Sequence, residues 1–192
     1  MSQKELPVIG FDSQREWERW LSSNHQDAAG LWMKIAKKGT GAASVTYQQA
    51  LEVALCFGWI DGQKAAFDEG YWLQRFTPRS ARSKWSRINR EKAQALIDQG
   101  RMKPAGLLCI QAAREDGRWE AAYDGQRVAG VPEDLSQELE RHPQAGAFFK
   151  TLDRANRYAI LYRVGEAKLP ATRARRIKKF VAMLEAGEKL HP

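Results

Sequence analysis

The sequence predicts an α+β fold, with a small antiparallel sheet packed with helices over residues 1–125, followed by an all-helical region over residues 130–192. Three observations lead there. Residues 31–36 alternate in strand fashion, residues 59–64 and 71–76 frame a polar turn, and the C-terminal third carries apolar residues at helical spacing throughout.

The elements follow in order. Ser13 and Glu16 form a capping-box pattern ahead of Trp17, Trp20 and Leu21, whose spacing predicts an amphipathic helix over about 14–24. Leu31, Met33 and Ile35 alternate with Trp32 and Lys34, the period of a strand. A second capping box, Thr46 with Gln49, opens a helix with the broad apolar face Ala50, Leu51, Val53, Ala54 and Phe57, and Gly58 supplies a left-handed stop. Trp59–Lys64 and Tyr71–Phe76 read as strands joined by Asp68-Glu69-Gly70. Residues 77–87 read as irregular, around Pro78. Asn89 is expected to cap a helix to Gln99, and Pro104 to start another that reaches Asp116. A boundary falls between Tyr123 and Gly130. Beyond it, Pro132, Pro143 and Asp153 mark helix starts, and a last helix from Ala171 presents Ile177, Phe180, Val181 and Leu184 on one face.

Composition limits the function classes. With 43% hydrophobic and 28% charged residues in 192, the chain buries a core and is unlike a disordered segment. Most of the seven Trp are expected as core anchors, and Cys56 and Cys109 as buried free thiols. The first ten residues hold no apolar run of signal-peptide length, and no run of about 18 apolar residues occurs, so a cytoplasmic protein without membrane insertion is expected. Nothing in the sequence sets the oligomeric state.

Motifs of common chemistry are missing. His25, His142 and His191 lie apart without HExxH or CxxC spacing, so no metal site is expected. There is no GxSxG, no phosphate loop and no dinucleotide fingerprint; no cofactor is expected, and the catalytic residues, if the chain has any, stay unknown.

Charge location says more than net charge. The chain carries +8, while residues 75–92 hold seven cations against Glu91 and residues 163–179 hold seven against Glu166, each a net of +6. The remainder is therefore mildly acidic. In the first stretch, Arg75, Thr77 and Arg79 place guanidinium forks and a hydroxyl at a strand end, a combination suited to phosphate or carboxylate. The neighbouring strand adds Trp59, Asp61 and Lys64, and these six form the candidate ligand-binding set. Asp61 is either a salt-bridge partner or an acid/base group. Arg82, Lys84 and Arg87 extend the basic surface around Trp85, which either stacks on a base or tucks inward. In the second stretch, Arg173 and Arg176 lie opposite the apolar helix face, a solvated face or a contact for an acidic partner or nucleic acid.

The runs YQQALEVALCFGWIDGQ, YWLQRFTPRSARSKWSRINREK, and VPEDL leading into YAILYRVGEAKLPATRARRIKKFVAML resemble the bacterial YdeI/OmpD-associated, or bacteriocin-protection, proteins over roughly residues 15–188. The resemblance implies a small cytosolic α+β protein associated with stress or antimicrobial-peptide tolerance, and residues 130–192 as the OmpD-associated-like region. It supplies no reaction, cofactor or catalytic set. Three readings follow: a tolerance protein binding an anionic small molecule or acidic protein surface through an Arg/Thr/Trp cleft, a nucleic-acid-binding module using the two basic stretches, and an enzyme acting on a phosphorylated or carboxylated small molecule.

Overall fold

The computed structural model describes residues 6–126 and 128–192. They form an α+β protein that divides into two compact units, one ending at Ala122 and one beginning at Tyr123.

The first unit orders as β1 (Val8–Gly10), α1 (Gln14–Asn24), β2 (Leu31–Ala36), α2 (Tyr47–Cys56), β3 (Trp59–Ala66), β4 (Tyr71–Pro78), α3 (Arg87–Asp98) and α4 (Pro104–Glu115). The four-stranded sheet runs β1-β2-β4-β3. β2, β4 and β3 pair antiparallel, as expected, whereas β1 joins the edge parallel to β2. Three residues are too short for a period to show, so β1 leaves no mark in the hydrophobic pattern.

Local chemistry sets the helix ends. The Ser13 hydroxyl accepts from the Glu16 amide, and Thr46 with Gln49 closes a complete capping box at α2. The cap of α3 is Ser86, whose hydroxyl accepts from the Asn89 amide at 3.2 Å, so the helix starts earlier than Asn89 suggested. Both residues are good caps, and only the three-dimensional hydrogen bond separates them. After α2, Gly58 takes φ +72°, and α4 passes so close that a Cβ there would lie 2.8 Å from the Cys109 sulfur.

The core of this unit lies between the helices and one face of the sheet, where Trp17, Leu21, Leu31, Met33, Trp59 and Phe76 meet. Trp17 and Trp59 cross edge-on with ring centres 6.0 Å apart. Their buried indole N–H groups donate to the Ala50 and His25 carbonyls at 3.0 and 3.1 Å, so neither anchor strands a polar atom in the core. Truncating one such Trp costs about 3–5 kcal/mol.

The second unit is helical: α5 (Glu133–Arg141), α6 (Pro143–Thr151), α7 (Arg154–Gly165) and α8 (Pro170–Glu185). Leu135, Phe149, Ile160, Val164, Phe180 and Leu184 belong to its separate core. Asp153 caps α7 by accepting from the Asn156 amide at 2.8 Å. No helix among the described residues is long and apolar enough to cross a membrane.

Candidate anion-binding face

Successive side chains of a strand point to opposite faces, and here the two faces differ in character. Leu31, Met33 and Ile35 go to the core, while Trp32 and Lys34 turn outward and stay half-exposed. The register places Trp32 opposite Arg75, Lys34 opposite Leu73 and Ala36 opposite Tyr71. On the outer side β1 adds Val8 beside Trp32, and β3 adds Ile60, Gly62 and Ala65. Lys34 and Arg75 are thus the charged side chains of this face, and no Asp or Glu shares it among the described strand residues.

Arg75 is held in place by its neighbours. Its stem lies across Gly62, where a Cβ would sit 3.6–3.8 Å from three of its carbons. Its Nη1 donates to Gln63 Oε1 at 3.0 Å, and it has no acidic partner among the described residues. Gly62 and Gln63 form a bulge between Asp61 and Lys64. The bulge carbonyls would lack ladder donors, and Gln74, fully buried on the inner side, supplies them. Its Nε2 donates to Gly62 O at 2.9 Å and to Gln63 O and Arg75 O at 3.3 Å. Gln74 Oε1 finds no partner among the described residues. The Lys34 ammonium lies 4.4 Å from the Tyr71 ring centre and 5.0 Å from that of Phe67.

The six side chains expected as one cleft are dispersed. Arg75 and Thr77 share the outer face, where Thr77 Cγ2 packs against Gly30 so closely that a Cβ there would come within 2.7 Å. Trp59 is 1% exposed and belongs to the core rather than to a cleft wall. Asp61 and Lys64 sit on the inner side at the sheet edge: the Tyr47 hydroxyl donates to Asp61 at 2.7 Å, and the Lys64 ammonium lies 5.0 Å from the Trp72 ring centre and 5.4 Å from that of Tyr47. Burial first, and the Asp61 charge second, push the Tyr47 phenol far above its ordinary value. Asp61 therefore serves as acceptor to a neutral phenol. Arg79 leaves the sheet and stacks its guanidinium 3.7 Å from the Trp85 ring centre, with Nη1 on Lys84 O at 3.2 Å.

Trp85 is 2% exposed and tucks inward; Arg82, Lys84 and Arg87 are exposed around it. In the second unit the basic pair has internal work. Arg173 meets Asp134 with Nε and Nη2 and donates Nη1 to Val164 O at 3.0 Å; Arg176 donates to Arg163 O. Both cations thus satisfy carbonyls at the C-terminal end of α7, where the helix dipole favours positive charge. Hydrogen bonding from Arg173 holds the Asp134 carboxyl below its usual range.

Sequence reasoning missed Trp32, Lys34, Gln63 and Tyr71 as site residues. The alternation over 31–36 already put Trp32 and Lys34 outside; what was missing was the register that sets Arg75 beside them.

Comparison with protein families accounts for both units. Residues 9–109, more than half of the chain, match a domain of unknown function (DUF8412), and residues 128–187 match the family described as bacteriocin-protection, YdeI or OmpD-associated. The chain belongs to the DUF8412 family and ends in a YdeI/OmpD-associated domain. The Trp59–Gly62 and Arg75–Arg79 motifs fall in the first match and the Arg173/Arg176 motif in the second. No curated protein and no solved structure matches the chain.

Proposed function

We propose that this chain is a cytoplasmic protein of bacteriocin or stress tolerance that works by binding an anionic ligand on the outer face of its sheet. The observation that carries the reading is the acid-free placement of Arg75 and Lys34 on a half-exposed face. Arg75 arrives pre-oriented, its stem laid on Gly62 and one nitrogen fixed by Gln63, so little side-chain freedom is lost when a ligand docks. A guanidinium engages phosphate or carboxylate as a planar fork, and Lys34 adds a point charge within the same sheet row system. The bacteriocin-protection description of the C-terminal match supports the tolerance setting.

Isothermal titration against inorganic pyrophosphate, citrate and a nucleotide panel tests the site. A charge-assisted hydrogen bond contributes about 1.5–3 kcal/mol, so Arg75→Gln is expected to weaken any hit by about tenfold or more. Arg79→Gln, on the Trp85 stack away from this face, is expected to bind like the parent. If Arg75→Gln and Lys34→Gln bind every hit as tightly as the wild type, the outer face is not the site.

A further inference from the structure

We infer that the ligand of this face is a single strand of nucleic acid, with phosphates at Arg75 and Lys34 and a base stacked on Trp32. The inference rests on the anion-binding reading and adds the aromatic half of the face to it. Trp32 lies directly across from Arg75, and Lys34 follows two residues along the same strand. Neighbouring strands are about 4.8 Å apart and two residues along a strand span about 6.7 Å, so the two cations start about 8 Å apart. That is the order of the span between adjacent phosphates of an unstacked strand. Trp32 and Tyr71 are half-exposed and Phe67 is 46% exposed, and Lys34 lies over the rings of Tyr71 and Phe67. The face therefore offers flat π surface and positive charge together.

A ligand carrying only phosphate or carboxylate would leave these rings in water. A single strand uses both halves, because every base has a π-face and stacking contributes about 1–3 kcal/mol per base. A duplex keeps its bases stacked internally and cannot offer one to Trp32. The sheet-with-aromatics arrangement is a general solution for unpaired strands.

The test is fluorescence anisotropy of the full chain with a labelled 12-nucleotide oligothymidylate at low salt, beside inorganic polyphosphate of matched charge and a duplex as competitors. The oligothymidylate is expected to bind and to resist competition by the other two. Arg75→Gln and Lys34→Gln should weaken it and each make the slope of log affinity against log salt shallower by about 0.7. Trp32→Leu should weaken it by about tenfold, while Trp32→Phe, which keeps a ring in the same place, should retain most of the affinity. Lys179→Gln, an exposed cation of the second unit, should change nothing. If polyphosphate competes fully and Trp32→Leu binds like the parent, the nucleic-acid inference falls while the anion site stands. If neither oligothymidylate nor polyphosphate binds, or Lys179→Gln matters as much as Arg75→Gln, both fall. Equal affinity for the duplex overturns the stacking role of Trp32.

Discussion

Gly106 sits inside α4 where that helix crosses the end of α2, and replacing it with Ala sets two effects against each other. In an unobstructed helix, Gly→Ala stabilises by up to about 1 kcal/mol. Here the added Cβ would lie 2.3 Å from Cys56 O, 2.8 Å from Leu55 O and 2.7 Å from the Met102 methyl. Two of the three obstacles are backbone and cannot rotate away. Restoring ordinary contact at 3.4 Å from Cys56 O moves α4 by 1.1 Å. A gap of that size forfeits a quarter to a half of the dispersion well at the displaced contacts, among them those of Ile110 and Ala113 in the core. Overpacking of this kind costs about 1–3 kcal/mol, and contact with immobile backbone places it at the upper end. The net is a loss of about 2 kcal/mol, which lowers a urea midpoint by about 1 M at a typical slope. Because all seven Trp lie in the first unit, selectively excited tryptophan fluorescence reports its unfolding alone. Gly165, the last residue of α7, has nothing within 4 Å of a built Cβ, so Gly165→Ala should stabilise the second unit, read by far-ultraviolet circular dichroism. A Gly106→Ala midpoint above the wild type would refute the close approach of α4 to α2.

Three further outcomes concern titratable side chains. Tyr47→Phe should lose about 1 kcal/mol of stability with the hydroxyl that serves Asp61. In the parent the raised phenol makes the unfolded chain ionise first, so stability is complete below about pH 10 and falls as pH climbs beyond it; burial also pushes the Tyr158 phenol up to about 12, so alkaline spectrophotometric titration should show two late phenols, of which Tyr47→Phe removes the later. Asp134, lowered by Arg173, contributes above the ordinary carboxylate range and loses its contribution as pH falls through it. With a side chain 45% exposed the effect is about 0.5–1 kcal/mol, and acid titration of Asp134→Asn should show a flatter second-unit curve. Burial pushes the Cys56 thiol up to about 11, against the pull of Arg101, and raises Cys109 as well, so alkylation of the native chain at mildly alkaline pH should be far slower than after unfolding.

What could be read from the sequence was local. The caps at Ser13, Thr46 and Asp153 join residues three apart, and the left-handed stop at Gly58 is a property of one residue, so each was visible without the fold. The choice between Ser86 and Asn89 was not, since both suit the role. Dispersal of the candidate cleft had a different cause. Residues adjacent in sequence on a strand part company across the sheet, so Phe76 is core while Arg75 faces outward. The bulge changes the parity of β3 between Asp61 and Lys64, and no local pattern announces it. Arg173 and Arg176 looked like solvated charge because the carbonyls they reach belong to α7, a separate helix.

The enclosed amide of Gln74 works as an index mark for the hairpin. Sliding β4 along β3 by one residue would rotate Gln74 outward, drive Arg75 into the interior, and leave the kinked carbonyls of Gly62 and Gln63 without donors. An insertion is therefore expected to be tolerated best at the hairpin's far end, around Asp68 to Gly70, whereas a single deletion at Gly62 or Gln63 would mis-thread the whole ribbon. The guanidinium keeps its address because a neutral side chain on the other side of the sheet pins the strand.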